Sequence, residues 1–171
     1  TAVIGFTFKS QLESLFMRPH LVMSMLLVTA VLLWIGSYVG QKKRQTVEEI
    51  TLLNALLIGL VQGFAIIPGI SRSGSTIVTA MFCGVEKRLA ARYSFLLSLP
   101  AISGALLLKL IESKNALIEI GLSQLLFGFV AAFITGVFAL KLLIPMVVRG
   151  KLHYFSYYLV FATIIVFMFV S

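Results

Sequence analysis

Residues Ile50 to Val85 read ITLLNALLIGLVQGFAIIPGISRSGSTIVTAMFCGV. The first arm, Ile50 to Ile67, is apolar apart from Thr51, Asn54 and Gln62, and it carries Gly59 and Gly63. It stops at Pro68-Gly69. The stretch Ile70-Ser71-Arg72-Ser73-Gly74-Ser75-Thr76 is polar apart from Ile70. The second arm, Ile77 to Val85, is apolar again but far too short to cross a bilayer, which takes about 20 residues of helix. Non-helical backbone at membrane depth survives only where protein buries it or a wet cavity lines it. Residues 50–85 are therefore expected to form a re-entrant, broken helix pair that enters and leaves on one side.

Working outward, the neighbours read as membrane spans. Leu21 to Val39 is uncharged, with Trp34 and Tyr38 placed for an interfacial belt. A basic loop, Gln41-Lys42-Lys43-Arg44, follows it. Glu48 and Glu49 then precede the first arm, where acids favour a helix N-terminus. Beyond the second arm come Glu86, Lys87, Arg88 and Arg92, then the apolar segment Ser94 to Leu110, which Pro100 and Gly104 are expected to bend. Lys109, Glu112, Lys114 and Glu119 form a polar connection to Ile120–Val148. There the Gly128, Ala132 and Gly136 spacing permits close helix contact. Tyr154 to Val170 is the last expected span, anchored by Tyr154, Tyr157 and Tyr158. Thr1 to Phe16 reads as the end of a helix already under way. The expected fold class is an all-α integral membrane protein, a polytopic helical bundle forming one transmembrane domain over 1–171, itself the C-terminal part of a larger one.

Composition excludes the main alternatives. The chain has 171 residues, of which 60% are hydrophobic and 12% charged, and its mean hydropathy is +1.06. Soluble domains carry about 25% charged residues, so this chain lacks the polar surface of a soluble enzyme, a disordered tail or a nucleic-acid module. That holds despite a net charge of +8. The basic residues sit mostly between apolar runs. On the re-entrant reading, loops 41–49, 86–92 and 149–151 share one side with eight of them: Lys42, Lys43, Arg44, Lys87, Arg88, Arg92, Arg149 and Lys151. Lys9, Arg18, Lys109 and Lys114 make four on the other. The positive-inside rule puts the first set in the cytoplasm. The single cysteine, Cys83, is expected to be apolar filler. His20 and His153 stand at segment ends and read as interfacial.

The polar break carries the chemistry. Arg72 is the only charge between Glu49 and Glu86. A cation at membrane depth costs at least about 2.5–3.5 kcal/mol unless paired or hydrated, so an intramembrane Arg marks a functional site by default. Ser71, Ser73, Ser75 and Thr76 supply hydroxyls, and Gly69 and Gly74 allow close backbone approach. The second arm is expected to start as a helix just after the loop, at Thr76, and its N-terminus offers unsatisfied N–H groups with partial positive charge. Arg adds a planar fork of donors that matches phosphate oxygens. The pattern reads as a phosphate-binding nest inside a membrane.

Gly59 to Thr76, GLVQGFAIIPGISRSGST, resembles the second signature of the undecaprenyl-diphosphate phosphatase (bacitracin-resistance) family. The core of that signature is Pro-Gly-x-Ser-Arg-Ser-x-x-Thr. Pro68, Gly69, Ser71, Arg72, Ser73 and Thr76 meet every fixed position, and Ser94 to Pro100 also resembles the family. The resemblance covers essentially the whole chain, as the C-terminal portion of a member. It implies hydrolysis of undecaprenyl diphosphate, the lipid carrier of cell-wall precursors, to undecaprenyl phosphate and inorganic phosphate, at a bacterial plasma membrane. Two inverted repeats with facing re-entrant pairs, and a divalent cation, Mg2+ or Ca2+, are also implied. Arg72 would clamp the diphosphate, Ser71, Ser73 and Thr76 would line the catalytic centre, and Gly69, Gly74, Ser75 and Gln62 would contact substrate.

The family's first signature, glutamates followed by Pro-x-Ser-Ser-x-x-His, is absent from this chain. That signature supplies the acid/base group, the metal ligands and the proposed nucleophile, so no metal ligand is assigned here. The other half of the site would come from a missing N-terminal repeat or a homo-oligomer partner. The alternative reading is a transporter or flippase of an anionic lipid or small anion, because broken helices aimed at an anion near the midplane are also typical of transporters. A fragment without activity is the third.

Overall fold

The computed structural model describes residues 14–42, 47–112 and 121–170. The expectations for Thr1–Phe16 (apart from Ser14 to Phe16), for Lys43, Arg44, Lys114 and Glu119, and for Lys9 as a loop cation, lie outside the described residues. Among the described residues six long helices follow in order: α1 Pro19–Lys42, α2 Leu52–Phe64, α3 Arg72–Phe82, α4 Lys87–Glu112, α5 Leu122–Val148 and α6 His153–Val170. Among the described residues there is no named strand, only an isolated parallel bridge between Val47 and Val85. The chain is an all-α membrane protein.

Among the described residues three helices are long and apolar enough to cross a bilayer: Pro19–Gly40, Lys87–Ile111 and Leu122–Val148. At 1.5 Å per residue, α6 reaches only about 27 Å, α2 about 20 Å and α3 about 17 Å, against an apolar thickness of about 30 Å. The helix expected from Ser94 begins seven residues earlier, at Lys87. Glu86 explains the early start, since its Oε2 accepts the Leu89 N–H at 2.9 Å and caps the first turn. The following Ala90 and Ala91 are fully buried.

The pair α2–α3 is short because its ends are specified. Thr51 caps α2, its side chain accepting the Asn54 N–H. Pro68 and the break after it prevent α2 from running on. Ser71 caps α3 in an extended conformation, so the helix starts at Arg72, four residues before the expected Thr76, and the Arg72–Ser75 stretch is its first turn rather than loop. At the far end Gly84 takes φ +83°. Its N–H reaches the Met81 carbonyl at 3.0 Å, and the Val85 N–H reaches that of Ala80 at 3.0 Å. These paired bonds close α3 in the manner that a left-handed glycine permits.

The two ends of the segment then meet. The Val47 N–H donates to Gly84 O at 3.1 Å, and the Glu86 N–H donates to Val47 O at 3.0 Å. Residues 47–86 therefore form a helical hairpin closed at its base. Ser37, near the end of α1, donates to Gly150 O at 2.6 Å, and its Oγ lies 3.0 Å from His153 Nδ1. Val47, Val85, Val147 and Leu152 share one apolar cluster. The α1–α2, α3–α4 and α5–α6 junctions thus gather at one end of the molecule, the grouping on which the cation count rests. His153 does more than mark an interface, since it ties α6 to α1.

Burial runs opposite to hydrophobicity. α3 is the most polar of these helices in sequence, yet it sits at the centre, touching α1, α2 and α4, with Gly74 to Val78, Ala80 and Met81 buried. α5, almost wholly apolar, has only Val147 buried. No added Cβ at Gly128 or Gly136 would meet a described atom within 4 Å, so the small-residue face of α5 has no helix against it among the described residues. Lipid tails are as apolar as leucine, so in a bilayer the polar helix gains most from internal partners.

Candidate functional site

The site is built at the start of α3. The Ser71 Oγ accepts the Gly74 N–H at 3.1 Å, and the Ser75 N–H closes the first turn on Ser71 O at 2.9 Å. The N–H groups of Arg72 and Ser73 have no hydrogen bond among the described residues. They point out of the helix end with the positive pole of its dipole. Arg72 is half-buried, and no described carboxylate lies within ion-pairing distance of it. The Ser71 and Ser73 side chains are half-buried beside it.

The other expected residues divide by what they touch. Thr76 is 1% exposed and faces inward. Its hydroxyl lies 3.0 Å from Arg72 O, 3.2 Å from Ser73 O and 2.5 Å from the Ser94 hydroxyl. One consistent arrangement has Ser94 donating to Thr76 and Thr76 donating to Arg72 O, a buried relay from α4 to the site's backbone. Ser75 is buried, and its carbonyl accepts from Thr79 at 2.8 Å. Gln62 is buried between α2 and α4, its Nε2 3.4 Å from Leu97 O. Gly74 lets α3 approach α1, for a Cβ there would stand 3.0 Å from Leu33 Cδ2 and 2.9 Å from Ser71 Oγ. Gly69 takes φ +94°, and a Cβ there would come within 2.5 Å of Val22 O and 2.7 Å of Met25 Cβ. Ser71, Arg72 and Ser73 are thus grouped as candidate ligand contacts. Gly69, Gly74 and Thr76 shape the loop from behind.

Two kinds of residue escape a span-by-span reading. Ser94, 2% exposed, is a hydroxyl inside an apolar run, and only its partner Thr76 reveals its use. Lys141 is a charge inside α5, exposed and seven residues before Val148. Its flexible stem can carry the ammonium toward the end that holds Arg149.

The donor set is a guanidinium, hydroxyls and N–H groups, which suits an oxyanion and not a metal ion. Among the described residues no group of three or more His, Cys, Asp or Glu side chains is assembled.

A buried short helix whose open N-terminus carries an arginine without a described carboxylate partner, within a bundle of apolar helices, defines an integral membrane protein with a candidate anion site. The sequence matches the family model described as bacitracin resistance protein BacA over residues 1–165, and the chain belongs to that family. It is similar to proteins named undecaprenyl-diphosphatase. The one from Desulfatibacillum aliphaticivorans is 45% identical over 99% of this chain and 62% of its own length. That from Desulforapulum autotrophicum is 47% identical over 92% of this chain and 56% of its own length. That from Methanococcus vannielii is 37% identical over 99% of this chain and 65% of its own length. The chain thus spans about three fifths of the length of the curated relatives it matches.

Proposed function

We propose that the α3 N-terminus binds the diphosphate of undecaprenyl diphosphate and serves its hydrolysis to undecaprenyl phosphate and inorganic phosphate. The observation that carries this reading is Arg72, held at an open helix N-terminus with no carboxylate partner among the described residues. The relatives' name and the family match support the substrate. In the reaction a water oxygen bonds to the terminal phosphorus, the phosphoanhydride bond breaks, and the lipid phosphate leaves. Charge spreads over the transferred group, and the Arg72 fork, the Arg72 and Ser73 N–H groups and the Ser71 and Ser73 hydroxyls are placed to stabilise it.

This donor set holds an anion but neither removes a proton from water nor holds a metal. The acid/base group, and the ligands of the divalent cation that the resemblance implies, are proposed to come from the part by which the relatives exceed this chain, or from a partner copy. The transporter reading has no support in the relatives found. The ends of the 47–86 hairpin meet, which supports re-entry from one face.

The test is release of inorganic phosphate from undecaprenyl diphosphate in detergent. It compares this chain alone with the chain completed by the segment its relatives carry. The completed protein is expected to turn over, and Arg72→Ala to slow it roughly a hundred- to a thousand-fold, as loss of a charge-stabilising donor does. Unchanged turnover in Arg72→Ala contradicts the proposal.

A further inference from the structure

We propose that Thr29, in the middle of α1, is a positioning residue for the Gly69–Ser71 loop that leads into Arg72; the inference rests on reading the start of α3 as a diphosphate clamp. Thr29 is 1% exposed. Its hydroxyl donates to Gly69 O at 2.8 Å and accepts the Ser71 N–H at 3.1 Å. One side chain thereby satisfies two polar backbone groups of a loop some forty residues away. A threonine hydroxyl has one proton and two lone pairs, so it can serve both at once. Inside a bilayer no solvent substitutes readily for such a partner.

The loop is fixed against α1 at two places. Gly69 lies so close to Val22 O that no Cβ fits there. Two residues on, Thr29 holds the Ser71 N–H. Ser71 caps α3, and Arg72 is the next residue. The direction of the first turn of α3, and with it the Arg72 and Ser73 N–H groups, is therefore referred to α1 through one hydroxyl. Nothing else in α1 makes a side-chain hydrogen bond to the loop among the described residues. Apolar contacts such as Leu33 with Gly74 set distance, whereas the Thr29 bonds also set orientation.

Thr29→Val keeps the shape and removes the hydroxyl; Thr29→Ser keeps the hydroxyl. The experiment is hydrogen exchange by mass spectrometry on the full chain in nanodiscs, with and without inorganic pyrophosphate as the probe. In Thr29→Val, amides of residues 69–74 are expected to exchange about tenfold faster. Pyrophosphate protection of those amides should fall, while peptides from α6 exchange as in the parent. Thr29→Ser should restore both. Parent-like exchange of the loop in Thr29→Val overturns the proposal, as does an equal rise along the whole chain, which marks a merely structural hydroxyl. Should Thr29→Val not fold, Thr29→Ala carries the same comparison, with room left for a water. If pyrophosphate protects nothing in the parent, the diphosphate reading fails, and the hydroxyl dependence of loop exchange still decides whether Thr29 holds the loop.

Discussion

Arg72 and the hydroxyls around it show how one residue's role depends on its partners. Arg72 reads as functional from sequence because it stands alone among apolar residues, and the structure places no described carboxylate beside it. A lysine there would supply charge without the planar fork, so Arg72→Lys is expected to remain at least about tenfold impaired in phosphate release by the completed protein. Rates equal to the parent's would mean that net charge suffices. The hydroxyls were less legible. Ser71, Ser73 and Thr76 are alike in the motif, but Thr76 is spent on Ser94 and on backbone carbonyls. Sequence spacing does not show which face of a helix start meets a neighbour. Ser94→Ala is expected to lower stability by about 1 kcal/mol, the usual net worth of a buried hydrogen bond. Thermal unfolding in detergent measures this; an unchanged midpoint would remove the relay from the structure's support.

At the level of elements, the break at Pro68-Gly69 was legible because proline, glycine and a run of serines cannot pass for a lipid-facing helix. The closeness of α1 to the loop was not, since it depends on contacts between residues far apart in the chain. Thr29 in an apolar run is indistinguishable from the many threonines that bond only their own helix, as Thr135 and Thr163 do here. The glycines give a clean contrast. Gly69→Ala combines a left-handed φ with a clash against the Val22 carbonyl, and is expected to cost more than about 2 kcal/mol. Gly59→Ala has nothing within 4 Å of the added carbon and lies within α2, so it is expected to be neutral or to stabilise by up to about 1 kcal/mol. Equal effects from the two would contradict the packing of the loop on α1.

At the level of the molecule, the most polar helix is central and the apolar α5 faces outward; composition, with 12% charged residues, gives the membrane setting but not this order. What composition does not give is which ends meet. The Val47–Val85 bridge and the Ser37–Gly150 bond bring three junctions together. Single cysteines at Glu48, Lys87 and Lys151, in a background with Cys83 replaced, are therefore expected to react with an impermeant thiol reagent from one face of a sealed vesicle. Cysteines at Arg18 and Lys109 should react from the other. Labelling of Glu48→Cys and Lys87→Cys from opposite faces would show that residues 47–86 cross the membrane rather than re-enter.

The most direct measurement is binding rather than turnover, because the donor cradle is present here whatever supplies the nucleophile. A short-chain prenyl diphosphate would be titrated into the chain in detergent and followed by phosphorus NMR, with the parent, Arg72→Ala and the corresponding prenyl alcohol compared. Saturable binding of the diphosphate by the parent, lost in Arg72→Ala and absent for the alcohol, is the predicted result. Equal binding of diphosphate by the parent and Arg72→Ala would contradict the assignment of the α3 N-terminus as the diphosphate site.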